Sequence, residues 1–140
     1  MLKQRECVAF ICVQNAGRSQ MAAAFARKKI EENHLPVKVI SGGTDPADSV
    51  HQVVVEAMSE KGYDLSDNQP RAVEPEELVD CNYVLTMGCS AQGVCPATWE
   101  GTDREWDLDD PAEADIEGVR KIRDEIESRV DSLLEEVTKN

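Results

Sequence analysis

At 140 residues the chain has room for one domain, residues 1–140, with a sizeable core. Its 28 acidic residues against 15 basic ones give a net charge of −13, which argues against nucleic acid and anionic membrane surfaces, since both need clustered lysine and arginine. No apolar run is long enough to span a bilayer and no basic-then-apolar leader is present, so a cytoplasmic location is expected, with the five cysteines as reduced thiols doing chemistry rather than as a disulfide framework. The acidity reads as ordinary solubility; adaptation to a salt-rich cytoplasm, where self-repulsion is screened, is the sharper alternative.

In chain order, an apolar run from Cys7 to Ile11 predicts a first strand over residues 6–12. An alanine-rich stretch then predicts a helix from Arg18 to Asn33, with Ser19 suited to cap it and Gly17 to take an awkward backbone angle. Residues 37–41 read as a second strand ending at the turn Gly42-Gly43-Thr44. Asp48 or Ser49 can cap a helix through Met58, with Gly62 as its stop. Residues 68–75 read as loop, a short helical turn covers 77–79, and 83–87 form a third strand. Trp106 and Leu108 suggest a fourth, weaker strand. Apolar residues at helical spacing from Ile116 to Val137 predict a long amphipathic helix.

Alternating strands and helices imply an α/β fold: a three-layer domain with a four-stranded parallel sheet and helices on both faces. Ligands in such folds sit outside the carboxyl ends of the strands, here the loops 12–19, 41–48, 88–98 and 107–112. The first carries Cys12-Val13-Gln14-Asn15-Ala16-Gly17-Arg18-Ser19 between a strand and a helix. A helix N-terminus leaves backbone N–H donors unpaired and favours a negative ligand, and the same field favours a thiolate at Cys12. Arg18 supplies a planar fork for two oxygens of a tetrahedral anion. Loop residues 13–19 are therefore the expected oxyanion cradle, and Ser41 at the second strand's end is placed to hydrogen-bond Asn15.

Two further loops carry reactive groups. Cys89 and Cys95 leave the third strand on a loop flanked by Gly88 and Gly93, and read either as thiols able to bond or as two unrelated ones; a disulfide needs their Cα atoms about 4.4–6.8 Å apart. A zinc site would need about four ligands, and His34 and His51 lie elsewhere, so no metal is expected. In Asp107-Leu108-Asp109-Asp110-Pro111, Asp109 and Asp110 compete to protonate a leaving oxygen, and Asp110, directly before the rigid proline, is favoured.

Cys12-x5-Arg18-Ser19 with the late Asp110-Pro111 resembles the low-molecular-weight protein tyrosine phosphatase superfamily. The added Cys89 and Cys95, with Ser41-Gly42-Gly43-Thr44 and Leu108-Asp109-Asp110-Pro111-Ala112, are similar to its thioredoxin-coupled arsenate reductase branch. The resemblance implies that Cys12 attacks arsenate, that Cys89 and then Cys95 carry the oxidation outward as disulfides, and that a thioredoxin-like dithiol reduces the last of them, with no bound cofactor. A monomer is expected. Three departures stand out: the loop cysteines are one residue closer than in the common pattern, Ala23 stands where some relatives place an acidic potassium ligand, and Gly17 replaces a cysteine found in some members. The alternative is a phosphomonoester hydrolase using Cys12, Arg18 and Asp110. Against it, Ala112-Glu113 stand where the phosphatases place tyrosines, and aromatics make up 4% of the chain. A redox switch working through Cys89 and Cys95 is a third, non-enzymatic reading.

Overall fold

Strands β1 (Glu6–Cys12), β2 (Val37–Gly43), β3 (Tyr83–Met87) and β4 (Thr102–Glu105) form one sheet of order β2-β1-β3-β4, every pairing parallel. The structure is a computed structural model and describes residues 6–88, 101–111 and 114–138. Every side chain from Cys7 to Cys12 is buried, on both faces of β1, as a central parallel strand requires. The edge strand β4 is mostly exposed and polar, which suits an unpaired rim.

Each face has its own core. Val8, Phe10, Leu85 and Met87 pack against helices α1 (Arg18–Asn33), α2 (Gln52–Ser59) and α3 (Ile116–Val137). Ala9, Ile11 and Val84 pack on the opposite side with Ile40, Leu78 and Cys81, under the 3-10 helix Pro75–Leu78. The expected α/β layering is present, and among the described residues the second face is covered by this single 3-10 turn. In α3, Val119, Ile122, Ile126, Val130, Leu133 and Val137 are buried at helical spacing, and the Asp115 side chain accepts from the Gly118 amide at 2.8 Å to cap the helix. This helix packs on both α1 and α2. Glu60, just past α2, pairs with Arg120 and Arg123 of α3, and Arg104 of β4 pairs with Glu136.

Four expectations about local structure need correction. Helix α2 begins at Gln52, not near residue 48, because the segment before it is bonded to another loop. The amides of Thr44, Asp45, Ala47 and His51 donate to the carbonyls of Cys12, Val13, Gln14 and Ala16 at 2.8–3.2 Å, which holds residues 44–51 alongside the first loop. Strand β2 continues to Gly43, paired with Cys12. The fourth strand lies at 102–105, before Trp106 and Leu108; those two residues are buried but lie in irregular chain. Apolar character there marked burial, whereas the strand at the sheet edge is polar. Ser19 does not cap α1: the capping position is Gly17, and Ser19 is spent inside the site.

Candidate active site

The loop after β1 is built so that four of its carbonyls face one way and the amides that follow them the other, while the Asn15 carbonyl accepts from Gln20 Nε2 at 2.9 Å. Carbonyls of Cys12, Val13, Gln14 and Ala16 point toward residues 44–51 and are satisfied there. In a planar trans peptide the N–H points opposite to its C=O, so the amides of Val13, Gln14, Asn15 and Gly17 point away from that segment. The Asn15 amide donates to Cys12 Sγ at 3.2 Å, which shows where this side of the loop leads. The amides of Gln14, Ala16 and Gly17 have no acceptor among the described residues. The result is a partial ring of N–H donors on the side of the loop where the Cys12 sulfur lies.

Asn15 holds this ring. It sits in left-handed backbone at φ 50°. Its Nδ2 donates to Ser19 Oγ at 2.8 Å and to Ser41 Oγ at 2.9 Å. Its Oδ1 accepts from the Arg71 amide at 3.0 Å and from Gln20 Nε2 at 3.2 Å. Ser19 Oγ, which accepts from Asn15, also lies 2.8 Å from Cys12 Sγ, and its hydroxyl donates there when the sulfur is a thiolate with no proton of its own. Two donors thus converge on the sulfur, and such bonds are strongest to a thiolate. Ser41 makes the contact expected of it. Gln20 and Arg71 are positioning residues that sequence reasoning missed; Arg71 also donates through Nη1 to the Ser41 carbonyl at 2.8 Å and pairs with Glu77. No local pattern marks Arg71 as part of the site, because the site residues it bonds, Ser41 and Asn15, lie 30 and 56 residues away.

Arg18 opens α1 and is 9% exposed. Its Nη1 donates to the Leu108 carbonyl at 3.1 Å, and its guanidinium lies against Gly88, where a Cβ would fall 2.9 Å from Nη2. Gly88 has φ +83°, so glycine is favoured there by backbone and by space. Asp110 Oδ2 stands 3.8 Å from Arg18 Nη2, its side chain about half exposed. Asp109 lines the same cavity, but the ion pair to Arg18 is made by Asp110.

Gly17 serves a different purpose from the one expected. Its φ is −145°, outside the left-handed region, but a Cβ on it would lie 2.6 Å from Pro111 Cγ. The missing side chain lets the Asp110-Pro111 turn close on the anion loop. Gly43 does the same on the other side, where a Cβ would meet the Val13 carbonyl at 2.6 Å.

These pieces enclose a cavity of about 520 Å³ floored by Cys12 and walled by Arg18, Gly88 and Asp110. His51 also lines it, with Nε2 3.1 Å from Gln14 Oε1, although its sequence position gave it no role. No aromatic ring of phenylalanine, tyrosine or tryptophan is among the lining residues described. No cluster of three or more metal-binding side chains occurs among the described residues. Cys89 and Cys95 lie outside the described residues, as do Ala112 and Glu113. Cys12, Arg18, Ser41 and Asp110 are therefore brought together, and the site can hold a small tetrahedral oxyanion against a nucleophilic sulfur.

Comparison with known proteins agrees with this geometry. The family described as low molecular weight phosphotyrosine protein phosphatase matches residues 7–140. The chain is 50% identical over 129 residues to a Halobacterium salinarum protein named "Putative arsenate reductase", covering 91% of this chain and 89% of the relative. A thioredoxin-dependent arsenate reductase of Corynebacterium glutamicum superposes with TM-score 0.76 at 34% identity over 98% of this chain; this chain spans 64% of that one. An arsenate reductase solved in its phosphate-binding state superposes with TM-score 0.77 at 27% identity, covering 94% of this chain and 98% of that one.

Proposed function

The chain belongs to the low molecular weight phosphotyrosine protein phosphatase family, and its relatives make it an oxidoreductase of the arsenate reductase kind; on that premise we propose that it converts arsenate to arsenite through a Cys12 adduct and a Cys12, Cys89, Cys95 disulfide relay. The observation that carries the reading is the position of Cys12 Sγ: it floors the cavity under two hydrogen-bond donors, with Arg18 and Asp110 on the wall.

Arsenate is held by the loop amides of residues 13–19 and by the Arg18 fork. The Cys12 thiolate forms an S–As bond while one As–O bond breaks, and Asp110 donates the proton with which that oxygen leaves as water. Cys89 thiolate then attacks Cys12 Sγ. The S–As bond breaks with its electron pair going to arsenic, which is reduced from the pentavalent to the trivalent state and leaves as arsenite. Cys95 next attacks Cys89, freeing Cys12 and forming a Cys89–Cys95 disulfide. A thioredoxin-like dithiol reduces that disulfide by exchange, supplying the two electrons that arsenic received. The name of the Corynebacterium relative supports this choice of reductant.

Phosphomonoester hydrolysis is the second reading. The name of the family and the shared use of a cysteine, an arginine and an aspartate favour it, while the lack of an aromatic wall in the described cavity weighs against it. The test is steady-state arsenate reduction coupled to NADPH oxidation through thioredoxin and its reductase, alongside hydrolysis of an aryl phosphate. Turnover that depends on arsenate and is lost in Cys89→Ser and Cys95→Ser supports the relay. Absence of reduction, with hydrolysis untouched by Cys89→Ser, overturns it in favour of the phosphatase.

A further inference from the structure

A second pair of thiols lies at the opposite end of the sheet. Cys7 is near the start of β1 and Cys81 comes just before β3. Both are buried in the smaller core beneath the 3-10 helix, close enough for their side chains to interact. Backbone bonds hold the two sulfurs in place. Asn82, next to Cys81, donates its amide to the Cys7 carbonyl at 3.0 Å and accepts from the Cys7 amide through Oδ1 at 2.8 Å. The Cys81 amide is fixed on the Leu78 carbonyl at 3.1 Å, and its thiol reaches the Tyr83 carbonyl at 3.3 Å. Strand β1, which carries Cys7, and strand β3, which Cys81 precedes by two residues, are neighbours in the sheet.

Neither thiol takes part in arsenate chemistry. Cys7 precedes Cys12 by five residues on the same strand, which at the rise of a parallel strand separates them by about 16 Å. The pair also differs from a metal site, since no third metal-binding side chain joins a cluster among the described residues.

We propose that Cys7 and Cys81 are a peroxide-oxidisable pair that closes to an intramolecular disulfide, a modification site separate from the catalytic relay. Cys7 reacts first. It is the more exposed of the two, at 8% against 3%. The neighbouring Cys81 side chain draws the Cys7 thiol below its ordinary range; burial and Asp80 oppose this shift and Lys38 assists it. The Cys7 thiolate attacks one oxygen of hydrogen peroxide, the O–O bond breaks, and hydroxide leaves as Cys7 becomes a sulfenic acid. The Cys81 sulfur then attacks Cys7 Sγ, the S–O bond breaks, and water leaves as the S–S bond forms. One peroxide is reduced to two waters, and the two thiols lose two electrons and two protons.

The experiment uses the full chain carrying Cys12→Ser, Cys89→Ser and Cys95→Ser, which leaves Cys7 and Cys81 as its thiols, so the outcome does not depend on the proposed reductase activity. After hydrogen peroxide, intact-mass spectrometry is expected to show the loss of two hydrogens, reversed by dithiothreitol, with the Cys7 and Cys81 peptides cross-linked. Adding Cys81→Ala abolishes the cross-link and leaves Cys7 as a sulfenic acid trapped by dimedone. If that variant does not fold by circular dichroism, Cys7→Ala serves in its place and must likewise abolish the cross-link. Addition of oxygen alone, or no reaction in the folded protein that retains both thiols, overturns the proposal.

Discussion

Asn15 pays a backbone strain at φ 50° and returns it as a four-bond brace through one amide group. The Cys12, Arg18 spacing that flags the site is local and therefore legible, and so was the Asn15–Ser41 contact. Of the partners that close the brace, Arg71 is not legible because it lies 56 positions from Asn15, and Gln20, only five residues away, is hidden because a glutamine inside a helix carries no motif of its own. Removing the brace tests its worth: Asn15→Ala is expected to lower arsenate kcat/KM by about 10- to 100-fold, since small misplacements of the loop are costly, while far-UV circular dichroism stays native. Gly17 gives a second test at the same scale. In Gly17→Ala the new methyl meets Pro111, so the turn bearing Asp110 must retreat, and kcat is expected to fall by about tenfold in steady-state assays with a smaller change in KM. Equal kcat values would show that Pro111 yields without carrying Asp110 with it.

Among the elements, β1, α1, β3 and α3 are legible because each presents an unbroken apolar pattern of its own. The start of α2 is not. Residues 44–51 have helix-capping side chains, yet four of their amides are committed to the carbonyls of the first loop, a non-local demand that outweighs the local signal. The position of β4 is hidden for the opposite reason: its polar residues lie at the sheet edge, while the apolar Trp106 beyond it packs at a ring distance of 5.9 Å against Phe10. Helix α3 is where stability concentrates at this scale, because it closes over α1 and α2 together. Ile126 is fully buried on that face, so Ile126→Ala is expected to cost about 2–5 kcal/mol, read as a lower urea midpoint.

For the molecule as a whole, a net charge of −13 opposes compaction, and its screening should stabilise the fold. The melting temperature is expected to rise between low and molar KCl, and an unchanged value would count against salt adaptation. Acid acts through particular pairs. Hydrogen bonds from Arg120, then Arg123, lower the Glu60 carboxyl from 4.5 to about 2. A depressed carboxylate contributes stability that is present above its ordinary value and lost as pH falls toward the depressed one. The gap in urea midpoint between the native chain and Glu60→Gln is therefore expected at pH 6, shrinking from about pH 4.5 and closed near pH 2. The topology also bears on synthesis. Because α3 follows all four strands in sequence, the sheet can pair on an emerging chain before the helix that covers its larger face exists. Until that helix has left the ribosome, Phe10, Leu85 and Met87 lack part of their cover, and a nascent chain stalled before Val119 is a client for chaperones rather than a small enzyme.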